Sequence, residues 1–586
     1  MEIFLCVLFL FLNACNISAQ YIQSDNNSKS QQQTGQNRYI VGYKNALGSA
    51  AAQAAASEVN VHLNNYNAVA VTILTQAALN ELRNNPNIEY IEEDALRYSM
   101  GDPKNFLRGI HHRDDVGVDQ SHRHLVERTP YGIVMVQADQ VDDVAEDSKK
   151  ICIIDSGYSR DHPDLPDSES VTGEGSEGID LCSHGTHVAG TIAAIGDNGI
   201  GVVGVTQNTA LHIVKVFDGT NCEWSYSSTL IAALEECTGA GADVVSMSLG
   251  GGSPTSAEET AFDDAYINGV ISIAAAGNDG NMKKNYPASY DSVVSVGALD
   301  KSEVIADFSQ TNDQVELAAP GVGVLSTVYA IVPNVTDDDA DEYIAGHIEF
   351  SGTNSVQSTL VDCGFGELGC EGALGNICLI GRGDTSFDEK VTNCETDKGV
   401  AAIIYNNVPG SFSGTLGEST SATIPAVSIS QGDGELLMGK IDSKSLNVTV
   451  NFPTSPVYSL AYYDGTSMAT PHVSGVAALV WSHCPGCANT EIRQALQNSA
   501  EDLGDNGKDD TYGYGLVQAK DALDYLKLLP CCEGSEITTT ATTVGTTTAP
   551  PLTTTGPDCL PRGVSCSVDG DCCSLKCRGG GQRSCK

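Results

Sequence analysis

At 586 residues the chain exceeds what one compact core usually organises, so it is expected to divide into several domains. Its formal net charge of −44 excludes a polyanionic partner such as nucleic acid, whose phosphates would repel it at long range; such acidity reads as a solvated surface that can also hold calcium. Twenty cysteines do not suit a reducing cytosol, and setting aside Cys6 and Cys15 leaves an even number, as closed disulfides require.

Ile3 to Leu12 is an apolar run too short to span a bilayer, and Ile17-Ser18-Ala19 offers small residues for cleavage. Residues 1–19 therefore read as a signal peptide and the protein as secreted and extracellular, with no later membrane span. A Gln- and Ser-rich stretch follows, to Asn37. Tyr39 to Tyr43 and Ala68 to Val71 then read as strands, and Gln76 to Arg83 as a short helix stopped by Pro86, before Ile88 to Asp94 closes a small α/β unit spanning 38–100. Residues 101–128 carry His111, His112, His122 and His124 among several arginines. They read as an exposed processing segment, with a histidine pH trigger as the alternative.

From 129 to 529, short β-branched runs alternate with helical stretches, which predicts an α/β fold with a mostly parallel sheet flanked by helices on both faces. Ile151 to Ile154, Leu211 to Phe217, Asp243 to Ser248 and Val270 to Ala275 are the expected buried strands. An insertion at 329–456 interrupts the pattern. Residues 536–557 form a Thr-rich linker that cannot build a core, and residues 558–586 hold six cysteines.

Three segments carry chemistry. Asp155-Ser156-Gly157 follows a predicted buried strand, placing a carboxylate at the strand edge where α/β proteins form their sites. His184-Gly185-Thr186-His187-Val188-Ala189-Gly190 begins a helix of small residues with a histidine available as general base, leaving His187 as a packing residue. In Gly465-Thr466-Ser467-Met468-Ala469-Thr470-Pro471-His472 a serine sits where a loop enters a helix, with Pro471 expected in the tolerant first turn and His472 in packing.

In the order Asp, His, Ser, these segments closely resemble the signature motifs of the subtilisin-type serine proteases. The resemblance implies a serine endopeptidase acting on proteins or peptides through an acyl-enzyme, with Asp155, His184 and Ser467 as its triad. Ala275-Ala276-Gly277-Asn278 resembles the segment whose asparagine stabilises the oxyanion, so Asn278 takes that role and Ala276 and Gly277 line the substrate. Ser248-Leu249-Gly250 is then an edge strand that pairs with the substrate backbone. Residues 38–100 resemble the family's inhibitory propeptide, which binds its own enzyme and is cut near Tyr98 to Met100. No acidic cluster marks a dibasic-specific processing enzyme in the sequence, and a broad preference for apolar or aromatic side chains before the scissile bond is expected.

The same resemblance places calcium ligands at Asp164, Asp197 and Glu127; calcium would be structural, and no cofactor is expected for catalysis. Within the insertion, Cys378 to Lys390 and Gly399 to Asn407 resemble the protease-associated domain of many subtilases, where Cys363, Cys370, Cys378 and Cys394 can form two bridges. Asn334 and Asn447 head glycosylation sequons. The tail resembles an inhibitor cystine knot, which implies Cys559–Cys573, Cys566–Cys577 and Cys572–Cys585 and a module that binds a surface or ligand. A monomer is expected. The alternatives are a catalytically silent binding protein and a narrow-specificity processing protease.

Overall fold

The structure, a computed structural model, describes residues 37–100 and 127–532, apart from 145–147, 168–169, 174–178, 220–221, 223, 331, 384, 409–411, 413, 418–419 and 455–456, together with 565–566 and 583–584. The chain forms two compact units, Met1–Gly534 and Ser535–Lys586.

The first unit begins with β1 (Arg38–Tyr43), α1 (Ala46–Ala55), β2 (Glu58–Leu63), β3 (Ala68–Thr72), α2 (Gln76–Arg83) and β4 (Ile88–Glu93). Asn45 and Thr75 cap the two helices by accepting backbone N–H groups, which fixes where each starts. The four strands pair antiparallel in the order β2-β3-β1-β4. Strand alternation splits their side chains: Val41, Val69 and Val71 pack on Ala52, Leu79 and Leu82 of the helices, while Ile40, Leu63 and Ala68 join a core shared with the larger body. β5 (Leu96–Ser99) leaves this sheet and runs onto that body.

The body starts with α3 (Tyr131–Met135) and is built on β6 (Ile151–Asp155), β7 (Val171–Thr172), β8 (Leu211–Lys215), β10 (Val244–Met247), β12 (Ile271–Ala275), β13 (Val293–Leu299) and β14 (Val315–Pro320). These form a parallel sheet in the order β14-β13-β12-β10-β6-β8-β7. Each expected strand is present. Ile151 and Ile153 face one core with α4 (His184–Ala193) and α9 (Thr466–His483), while Cys152 and Ile154 face the other with α5 (Ser227–Gly239) and α6 (Ser256–Ile267). The chain leaves β6 toward β8 and returns on the other side at β10, so the carboxyl ends of β6 and β10 flank the point where such folds form their sites. Two short strands, β9 (Ser225–Tyr226) and β11 (Leu249–Gly250), stand outside the main sheet.

β15 (Val324–Ala330) pairs antiparallel with β25 (Val457–Tyr463), from Val324↔Tyr463 to Ala330↔Val457, and the insertion hangs from this base. It holds β16 (Asn334–Asp337), β17 (Glu342–Ile344), β18 (Gly346–Glu349), β19 (Val356–Asp362), β20 (Ile377–Gly381), β21 (Ala401–Tyr405), β22 (Gly414–Thr415), β23 (Ala426–Ile429) and β24 (Asn447–Asn451). They form one mixed sheet in the order β17-β16-β24-β19-β20-β21-β23-β18-β22, joined by α7 (Phe387–Thr396) and α8 (Gln431–Ser443). Asn447 is exposed, whereas Asn334 is half-buried and donates from its amide to Glu342. α10 (Asn489–Asn498) and α11 (Ala519–Leu526) close the body.

Six disulfides join described residues: Cys152–Cys237, Cys182–Cys222, Cys363–Cys370, Cys378–Cys394, Cys484–Cys532 and Cys487–Cys531. Among the described residues no helix is long and apolar enough to cross a membrane. In the second unit β26 (Ser565–Cys566) pairs antiparallel with β27 (Arg583–Ser584). The three pairings read there involve residues outside the described ones, as do the signal-like run and the segment from His111 to His124.

Candidate active site

Asp155 ends β6 and is fully buried. Its Oδ1 accepts from Ser156 N at 2.7 Å and from His184 Nδ1 at 2.7 Å, which fixes the tautomer that leaves Nε2 able to take a proton. His184 is the first residue of α4, and Asp180 caps that helix by accepting from Ser183 N at 3.0 Å and Thr186 N at 2.9 Å. The approach of α4 to β6 needs a glycine next to the histidine: a Cβ on Gly185 would lie 2.3 Å from the Gly157 carbonyl oxygen.

Ser467 stands in the first turn of α9, which packs against α4. Pro471 lies inside α9, beyond the turn expected for it. The N–H it lacks would have bonded the Ser467 carbonyl, and the Ser248 hydroxyl takes that place, donating to Ser467 O at 2.8 Å. One bond thus ties the helix that carries Ser467 to the end of β10.

Asn278 follows β12. Its Oδ1 accepts from Thr466 N at 2.9 Å and Thr466 Oγ1 at 2.8 Å, so the amide has one orientation and its Nδ2 points into the cleft. There it donates to the Met100 carbonyl oxygen at 2.5 Å, and Ser467 Oγ donates to the same oxygen. Gly465, at φ +152, leaves room: a Cβ would come within 3.1 Å of Met100 O and 3.2 Å of Asn278 Nδ2.

The cleft is filled by β5. It pairs antiparallel with β11 through Leu249↔Ser99 and Gly250↔Tyr98, and with β9 through Leu96↔Tyr226 and Arg97↔Ser225. Met100 N donates to Ser248 O at 3.0 Å. Ser248, Leu249 and Gly250 thus hold an extended segment of this same chain, while Ala276 and Gly277 turn their amides to Val296 O at 3.0 Å and Thr466 Oγ1 at 3.2 Å.

Upstream of β5, two carboxylates dock on helix N-termini. Glu92 accepts from Ser256 N at 2.8 Å and Ala257 N at 2.9 Å at the start of α6. Asp94 accepts from Ser228 N at 2.9 Å and Ser227 Oγ at 3.0 Å at the start of α5, and is paired with Arg38 at 2.7 Å. Each satisfies N–H groups that have no partner within their own helix and sits at the positive end of its dipole.

His187 and His472 belong to the packing. Burial pulls His187 down to about 3, with its Nε2 near the carbonyls of Val324 and Ala461, and pulls His472 down to about 4, with its Nδ1 donating to Met468 O. Of the residues read as calcium ligands, Asp164 and Glu127 converge on Asn198: Asp164 Oδ1 accepts from Asn198 Nδ2 at 2.8 Å, and Glu127 Oε2 from Asn198 N at 3.0 Å. Asp197 is exposed beside them with φ 59. Burial raises Asp164 to about 6 although its Oδ2 accepts from Val202 N at 2.7 Å, and a cation bound by the Asp164 and Glu127 oxygens would offset that cost.

The Subtilase family model matches residues 146–344 and 399–515, more than half of the chain. The chain is a subtilase. Members of this family are serine-type endopeptidases, and this subtilase is one of them. A PA domain model matches residues 356–437, inside the insertion. Subtilisin amylosacchariticus of Bacillus subtilis subsp. amylosacchariticus is 33% identical over 342 residues, covering 56% of this chain and 80% of its own. Subtilisin DY of Bacillus licheniformis is 42% identical over 212 residues, covering 34% of this chain and 75% of its own. Among solved structures, the psychrophilic subtilisin-like protease Apa1 from the Antarctic psychrotroph Pseudoalteromonas sp. AS-11 aligns with a TM-score of 0.58 at 38% identity, over 70% of the subtilase and 99% of that chain.

Sequence reasoning missed four residues that shape this site. Thr466 orients Asn278, Asp180 caps the histidine helix, Asn198 bridges Asp164 and Glu127, and Glu258 lies buried against β5. Thr466 had a legible signal, standing beside the serine in its motif; the others act through contacts that local sequence does not display.

Proposed function

We propose that this subtilase is a secreted endopeptidase made as a self-cleaving zymogen, with Asp155, His184 and Ser467 as triad, Asn278 as oxyanion donor, and the Met100–Gly101 bond as the first one cut. One observation carries the reading: the carbonyl of Met100 receives hydrogen bonds from both Ser467 Oγ and Asn278 Nδ2 while its strand is paired to β11. In the reaction Ser467 Oγ attacks that carbonyl carbon and gives its proton to His184, whose Nδ1–H remains on Asp155. Charge developing on the oxygen is met by Asn278 Nδ2–H and by the N-terminus of α9. His184 then passes the proton to the leaving amine, and water releases the acyl group by the same steps. Met100 at the attacked position supports a preference for apolar side chains there.

Export is supported by the apolar leader and by six disulfides among the described residues. A structural calcium ion would be held by Asp164 and Glu127, the two carboxylates that meet at Asn198, and Asp197 stands outside that convergence. The test is fluorophosphonate labelling of the secreted protein beside Ser467→Ala, with the N-terminus of each read by mass spectrometry. Labelling and a new N-terminus at Gly101 are expected in the wild type alone. A folded, mature wild type that takes no label overturns the reading.

A further inference from the structure

Four residues before the proposed cut, Arg97 points away from solvent and is 1% exposed. Its Nε donates to Glu258 Oε1 at 2.9 Å and its second terminal nitrogen to Glu258 Oε2, a two-pronged pair in which the carboxylate is fully buried. The remaining nitrogen donates to Leu96 O at 2.9 Å. Glu258 is built into the enzyme, in the first turn of α6, where Thr255 caps the helix and the dipole favours a negative charge. Tyr290 donates its hydroxyl to Glu258 Oε2 at 2.8 Å and stacks on Phe262 with ring centroids 6.2 Å apart, so the carboxylate is aimed by a group of the body itself.

We propose that Glu258 makes this subtilase select substrates with arginine as the fourth residue before the cleaved bond, so that cleavage follows the pattern Arg-Xaa-Xaa-apolar set by Arg97-Tyr98-Ser99-Met100. The inference rests on the reading that β5 lies in the cleft as a substrate does. A protein substrate that replaces β5 presents its fourth residue to the same carboxylate. An apolar side chain there covers Glu258 and leaves a buried charge unpaired, which is costly. Lysine brings a charge without the fork, and only arginine meets both carboxylate oxygens at once. Glu258 therefore acts by discrimination in binding and has no part in the chemical step. This also accounts for what the sequence left unseen: a single acid in a helix becomes a specificity residue only once α6 is folded over β5.

The test uses the mature full-length enzyme and fluorogenic peptides carrying Arg-Tyr-Ser-Met before the cleaved bond, with the arginine replaced by lysine or norleucine. The arginine peptide is expected to exceed the norleucine peptide in kcat/KM by about 30-fold or more, the low end of what unpairing a buried hydrogen-bonded charge costs, with lysine between them. Glu258→Leu is expected to reverse the order of arginine and norleucine; should that variant not fold, the wild-type ratios decide alone. Equal turnover of the arginine and norleucine peptides, abolished by Ser467→Ala, overturns the pocket assignment and leaves the protease reading intact. No turnover of any peptide by enzyme with a mature N-terminus overturns the protease reading and this inference with it.

Discussion

Asn278 is held by its oxygen and presents its nitrogen to the Met100 carbonyl, an arrangement that depends on Thr466. Asn278→Leu should lower kcat by about 10²–10³ with little change in KM, because the donor is needed where charge develops. Thr466→Val keeps the backbone donor and loses the hydroxyl, and should lower kcat by up to about 10-fold, the worth of one hydrogen bond, again with KM unchanged. A rise in KM in place of a fall in kcat would show that the pair serves ground-state binding. At this scale the sequence was most legible where chemistry is packed into a few consecutive residues. Asp155, His184, Ser467 and Asn278 each sit in a short motif, whereas Glu258 meets Arg97 across a sequence separation of 161 and has no local mark.

The helices bear on the fate of the N-terminal segment. α5 and α6 each offer first-turn N–H groups, and the end of β4 with the residue after it supplies one carboxylate to each, Asp94 to α5 and Glu92 to α6. Each cap is worth about 1 kcal/mol, so Glu92→Ala with Asp94→Ala should raise the inhibition constant of the cut segment about 30-fold, read by titrating it against the mature enzyme. An unchanged constant would place the binding in β5 and in the apolar core shared through Ile40, Leu63 and Ala68. Element boundaries were legible where caps and periodicity agree, as for Gln76 to Arg83, which is helical over the range read. The insertion was less so. Its sheet joins strands as distant as Asn334 and Asn451, pairings that alternation along one strand cannot register.

Buried charge-changing groups make the whole molecule's stability depend on pH. His187 and His472 are held near 3 and 4 by burial, while in the unfolded chain they take up protons below about 6.5. Between those limits the unfolded state binds more protons, so stability from these two falls as pH falls. Asp464 runs the other way: burial raises it to about 7, the native state keeps a proton the unfolded state has lost, and its contribution fades as pH rises through that value. In a Ser467→Ala background, which prevents self-digestion, urea midpoints between pH 6.5 and 4 should fall less for His472→Gln and more steeply for Asp464→Asn. Identical slopes would mean these groups titrate normally. In the same assay a calcium chelator should lower the midpoint of the parent and leave Asp164→Asn unmoved, since an ion bound to the native state alone stabilises by mass action. Fold class was legible at this scale because alternating strands and helices admit few architectures.

The carboxyl end of the catalytic unit is fastened by Cys484–Cys532 and Cys487–Cys531, which tie the last described residues before the Thr-rich stretch to the end of α9 and the loop that leads to α10. In mechanical terms, a pull on the chain beyond Cys532 is borne by two covalent bonds that lead into the helix carrying Ser467. α11, which lies inside the loops these bonds close, is left unloaded. A pull on the chain beyond Cys532, or a cut there, therefore does not peel the enzyme open from its end.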